Sequence, residues 1–207
     1  MNFEIIDNVF QVTVFFLIMV ADVVCWFLRK NRLYVILALA HSCFMMGTLY
    51  FVLYLAIRGV VPQVFYVSEI SWIASYLFLH SYQIVRYKKQ RMNIAIIPLA
   101  CGIGMAIISV WSEIFGPAIL STGAFAVAAG AIVYVSVFQI LYGNEPHKTN
   151  ICLLLCVILQ VSLYISSSFI HDYTKFNLYF SIDITLTIFH ALVLLCTLLE
   201  VKKDDVY

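Results

Sequence analysis

Apolar stretches of about 20 residues recur along this 207-residue chain, and that is the length a helix needs to cross the hydrocarbon core of a bilayer. Reading between polar breaks gives seven predicted helices, over residues 8–28, 33–57, 63–85, 93–112, 117–142, 150–170 and 177–200. The breaks are short: RKNR, RGVVPQ, RYKKQRM, SEIFG, GNEPHKT and HDYTKFN. Pro62, Pro117 and Pro146 fall at or beside helix starts, where a missing N–H costs little. Pro98 lies early in the fourth helix and leaves room for a kink there.

Composition decides between a buried soluble core and a membrane. The chain is 64% apolar and 11% charged, against about 45–50% and about 25% in an ordinary soluble domain. A soluble fold of this size has nowhere to hide so much apolar surface, so lipid is the expected solvent. The expected fold is an all-α integral membrane protein, a single transmembrane domain over 1–207 built as a seven-transmembrane-helix bundle. The leader MNFEIID carries Glu4 and Asp7 and no Lys or Arg, unlike a secretory signal, so the first helix is expected to stay in the protein. The cysteines (Cys25, Cys43, Cys101, Cys152, Cys156, Cys196) all lie inside apolar runs, which offers no disulfide framework to read. A net charge of +1 argues against a nucleic-acid partner.

Basic residues set the expected orientation, because cytoplasmic loops retain Lys and Arg. Arg29, Lys30 and Arg32 follow helix 1, and Arg86, Lys88, Lys89 and Arg91 follow helix 3. Lys148 follows helix 5, and Lys202 with Lys203 follow helix 7, leaving only Arg58 and Lys175 for the opposite side. The N-terminus is therefore expected outside and the C-terminus inside a multi-pass protein of the cell membrane.

Sliding the chain against itself by 114 residues aligns helices 1–3 with helices 5–7 without a gap. Thr48-Leu49-Tyr50 then meets Ser162-Leu163-Tyr164, and Glu69-Ile70-Ser71 meets Asp183-Ile184-Thr185. The offset raises a 3+1+3 parallel repeat over 1–92 and 115–207, with helix 4 as linker, against chance matches in an apolar alphabet. Such a plan resembles that of SWEET-type sugar transporters, and seven helices with an outside N-terminus resemble opsins. Both likenesses are of architecture. Lys appears only after helix 7 here, whereas an opsin carries its retinal-bearing Lys within it, and Pro62-Gln63 does not lie where a PQ-loop protein would carry that pair.

Ionisable groups at membrane depth usually face the bundle interior and mark function. In helix 3, Glu69, Trp72, Tyr76, His80 and Gln83 fall on one stripe at about 100° per residue. Asp183, Thr187, His190 and Thr197 repeat the pattern in helix 7, and Gln160, Tyr164, Ser167 and His171 do so in helix 6. Lipid penalises such stripes, so they are expected to face one another. Glu69 and Asp183 each lie roughly 9 Å from the outer helix ends, where two carboxylates share a proton or await a cation. Glu69, Trp72, Tyr76, Asp183 and His190 are the expected substrate-binding residues, and Asp22, His80 and His41 the expected proton or ion relay. Gly102 and Gly104 in helix 4 with Ala126 and Gly130 in helix 5 point to close backbone packing.

Three functions fit these features. A small-solute or proton-coupled transporter uses a polar stripe spanning most of the membrane depth. A receptor would bind a small ligand in the outer half and signal through a separate partner, since the tail is only VKKDDVY. An intramembrane enzyme with a carboxylate/His site ranks last: no nucleophile elbow, HExxH or paired-His signature is present, and no catalytic residue, metal or cofactor is assigned. The expected partners are the lipid bilayer and a small-molecule ligand or solute, with a second copy or a membrane partner protein open.

Overall fold

The computed structural model describes residues 3–60, 66–88, 90, 94–112, 119–144, 146–170 and 172–201. Pro62, Gln63, Lys89, Arg91, Pro117, His171, Lys202 and Lys203 lie outside them. Among the described residues the structure is all-helical: α1 (Phe3–Arg29), α2 (Arg32–Arg58), α3 (Tyr66–Arg86), α4 (Ile96–Ser112), α5 (Ile119–Tyr142), α6 (Lys148–Ser167) and α7 (Leu178–Glu200). Five are long and apolar enough to cross a membrane: α1, α2, α5, α6 and α7. The apolar α4 has 17 residues. In α3, Glu69, His80, Gln83 and four serines dilute the apolar content. Large apolar side chains such as Leu17, Leu28, Ile57, Ile107 and Leu199 point outward, which suits lipid and not water. Long apolar helices with apolar flanks suggest a membrane-embedded protein.

Local chemistry sets the helix ends. Between α1 and α2, Lys30 takes a left-handed φ of 55° and Asn31 accepts the Leu33 amide at 2.9 Å, capping α2. At the other end of α2, Gly59 adopts φ 69°, and its N–H reaches Leu55 O, as an αL cap requires. Asn177 caps α7 by accepting from Phe180 N at 3.4 Å.

Two expectations are corrected here. Helix α1 begins at Phe3 and not at residue 8, because the loop after α6 receives its first amides: Phe3 N donates to Thr174 O and Glu4 N to Tyr173 O. Asp7 thereby becomes a buried helical residue. Helix α4 begins at Ile96, so Pro98 sits in its first turn, where it removes no intrahelical hydrogen bond and gives no reason for a kink.

Helices α1, α2, α3, α5, α6 and α7 close a ring, and α4 lies outside it against α5. That outer contact is backbone on backbone: a Cβ at Gly102 would meet Gly130 O at 2.7 Å, and one at Gly130 would meet Gly102 O at 2.8 Å. Gly104 has open space beside it and takes no part. Helices α1, α3, α5 and α7 start at one end of the bundle, called here the acidic end, where Gln11 meets Asp183 and Glu69 meets Ser121. They finish at the basic end, where Arg29 meets Leu198 and Arg86 meets Glu200.

Candidate functional site

A cavity of about 300 Å³ opens between the helices at the acidic end. Helix α1 contributes Gln11, α3 contributes Glu69 and Trp72, α6 contributes Tyr164, and α7 contributes Tyr179 and Asp183. Phe44 of α2 forms part of the deep wall, and Glu4 and Tyr173 stand at the shallow end. Among the described residues no Lys, Arg or His lines the space. Acids and aromatic faces without a base make an environment for positive charge, through Coulomb attraction and cation–π contact.

The wall is held by a directed chain of hydrogen bonds. Trp72 Nε1 donates to Thr48 Oγ1 at 3.3 Å, and Thr48 donates to Gln11 Oε1 at 2.7 Å. Gln11 Nε2 donates to Asp183 Oδ1 at 2.7 Å and to Thr187 Oγ1 at 3.2 Å. Four helices are thus tied around one carboxyl. Trp72 can approach α2 this closely because residue 47 is glycine: a Cβ there would meet Trp72 Nε1 at 2.8 Å. Asp7 of α1, on the buried face of that helix with Gln11, lies beside the same Asp183 carboxyl. Glu69 does not join them: it accepts from Ser121 Oγ at 2.9 Å on the α5 side of the cavity.

Beneath the cavity lies an aromatic layer. Phe44 and Phe15 stack at 4.5 Å between ring centroids, and each stands 5.1 Å from the His190 ring. Tyr76 completes the layer at 6.1 Å from His190, and its hydroxyl donates to Gln160 Oε1 at 3.1 Å. His190 is fully buried, and neither ring nitrogen has a hydrogen-bond partner among the described residues. His41 stands 5.8 Å from it, ring to ring, and its Nδ1 meets Asp22 Oδ2 at 2.6 Å.

The residues singled out from sequence therefore divide into three groups. Glu69, Trp72 and Asp183 face one cavity. Tyr76 and His190 lie in the layer below it, and Asp22 with His41 lie below that. His80 is elsewhere: it lies one turn from Gln83, whose amide holds Ser136 of α5 at 2.8 Å, and among the described residues no hydrogen bond joins it to Asp22 or His41. Asp7, Gln11 and Thr48 belong to the site and were not singled out. The signal was present, since Asp7, Gln11, Phe15, Ile18 and Asp22 follow helical spacing and are the buried face of α1. A helix that starts at residue 8 leaves Asp7 out of that stripe.

Among the described residues no group of three His, Cys, Asp or Glu side chains could hold a metal ion. Cys152 and Cys196 approach at 3.7 Å between sulfurs as free thiols. At the rim, hydrogen bonds from Thr174 hold the Asp172 carboxyl below its usual range, while burial and the nearby Glu4 push the Tyr173 phenol up. No protein-family model, curated protein or solved structure matches the chain.

Proposed function

We propose that this protein is a multi-pass carrier of the cell membrane that accepts a small organic cation from the outside. In this reading all seven helices span the bilayer, the acidic end is extracellular and the basic end cytoplasmic. The placement of Arg29, Lys30, Arg32, Arg86, Lys88 and Lys148 at the basic end supports that orientation. The observation that carries the reading is the cavity itself: Glu69 and Asp183 face one space of about 300 Å³, walled by aromatic rings and free of basic side chains among the described residues. That volume lies at the low end of small-molecule sites, which run from about 300 to 1,000 Å³, and suits an amine or quaternary ammonium of modest size.

A receptor would use the same cavity. The carrier reading is favoured by what lies beneath: His190, His41 and Asp22 continue the line of ionisable groups below the floor, at a depth where such groups are expensive and a binding pocket alone has no use for them. The test is uptake of radiolabelled phenethylamine and tetraethylammonium into proteoliposomes containing the purified protein. Wild-type protein should accumulate at least one probe, Asp183→Asn should abolish uptake, and Glu69→Gln should weaken it several-fold while inserting normally. Saturable binding without flux would favour the receptor. Neither binding nor flux would remove the cation reading.

A further inference from the structure

We infer that His190 is a proton-binding site separate from the cation cavity, joined to the Asp22–His41 pair by a bound water, so that a proton there and a cation above it exclude each other. The site stands on geometry. His190 is fully buried and presents two orphaned ring nitrogens, in an interior where such groups almost always have partners. His41 Nε2 and Asp22 Oδ1 are likewise buried and orphaned. The two imidazoles are 5.8 Å apart by ring centroid and tilted 76° to each other. A single water between the rings would bridge one orphaned nitrogen of His190 to Nε2 of His41, within the two to four partners that a buried water takes.

Helical connectivity places this cluster directly under the cavity. Phe44 lines the cavity and contacts the His190 ring, and Asp183 stands two turns of α7 above His190. The titratable groups facing His190 are His41 of α2, with Asp22 of α1 behind it, and Tyr76 of α3. Helix α6 presents Cys156, behind the Tyr76 hydroxyl. The Lys and Arg residues of these helices are confined to their ends. A protonated His190 thus has one countercharge, Asp22, and adds a positive charge below the floor of a cavity built for a cation. A proton binding there weakens the guest, and a guest that binds expels the proton through the His41–Asp22 water. The exclusion rests on the cation reading, whereas proton binding at His190 does not.

Two measurements separate these. First, 15N-histidine NMR of the unliganded protein in nanodiscs, with His190→Gln used to assign the signal, reads the site directly. The His190 resonance should shift with pH between neutral and protonated forms, and a resonance that stays in one form across the range of folded protein overturns the proposal. Second, tetraethylammonium binding is followed against pH. The apparent Kd in wild type should rise about tenfold per unit fall in pH for each proton expelled, and the slope should drop by one proton in His190→Gln. His190→Asn serves if the Gln variant fails to fold. His80→Gln, off the cluster, should keep the wild-type slope. A His190 variant with an unchanged slope overturns the exclusion. If tetraethylammonium does not bind, phenethylamine takes its place, and if neither binds, the cavity reading fails and the resonance still decides the proton site.

Discussion

Helices α3 and α7 carry both ends of the bundle, and the two ends treat charge in opposite ways. At the basic end, Arg86 and Glu200 form an ion pair at 2.9 Å with side chains 4% and 3% exposed. Glu200 also accepts from Lys148 N at 2.7 Å and from Thr149 Oγ1 at 2.6 Å, capping α6, while Tyr82 meets Thr197 at 2.9 Å. Arg29 adds bonds from α1 to Leu198 O and Val201 O. The one buried carboxylate and the one buried guanidinium described there are each other's partner. At the acidic end Asp183 and Glu69 gather with aromatic rings and amides around open volume that no basic side chain lines among the described residues, with Asp7 beside Asp183. One end is closed by its own partners, and the other leaves its carboxyls around open volume. The carrier proposed above would need such an asymmetry, with the basic end as its shut gate.

The contrast is tested most severely by Arg86→Ala. Removing one member of a buried pair leaves the other uncompensated, so the variant should lose about 3–5 kcal/mol of stability, read by unfolding in detergent. Adding Glu200→Gln should restore much of the loss. A change below about 1 kcal/mol would show that the basic end is not locked by this pair.

At the acidic end the largest effect should fall on binding and not on stability. Gly47→Ala puts a methyl 2.8 Å from Trp72 Nε1 and 3.0 Å from the Ser68 carbonyl oxygen, so the indole moves into the cavity and α2 and α3 part by a few tenths of an ångström. Probe affinity should fall several-fold with a blue- or red-shifted tryptophan emission, while stability changes by roughly 1 kcal/mol or less. A large loss of stability with unaltered binding would mean that this end is as tightly packed as the other.

The smallest effect belongs to the rim. The Asp172 carboxyl is held below its ordinary value by Thr174, so its contribution is present at neutral pH and is lost only as the pH falls through that lowered folded value. The Thr174 amide resonance should therefore stay constant down to about pH 4 and shift below it, with a wild-type-like melting temperature throughout. A shift complete above about pH 5 would contradict the turn.

The positions of the helices were legible because lipid imposes one demand on every residue it touches. The run at 33–57 became Arg32–Arg58, and the run at 177–200 became Leu178–Glu200. The one large error, the start of α1, came from Glu4 and Asp7, whose charge looks like an exposed leader until the loop after α6 and Asp183 of α7 are brought beside them. His80 shows the converse. It shares a stripe with Trp72 and Tyr76 in sequence, yet a stripe wide enough to include it also reaches α5, where Gln83 holds Ser136.

Hydropathy, periodicity and the bias of Lys and Arg are local quantities, summed along one helix at a time, and they determined that this chain is helical, apolar on its flanks and polar within. Which carboxyl meets which is a relation between helices far apart in sequence. Gln11 finds Asp183, Arg86 finds Glu200 and the His190 nitrogens are left without a hydrogen-bond partner among the described residues only once the ring has closed, because pairing depends on rotation and depth that no single helix encodes.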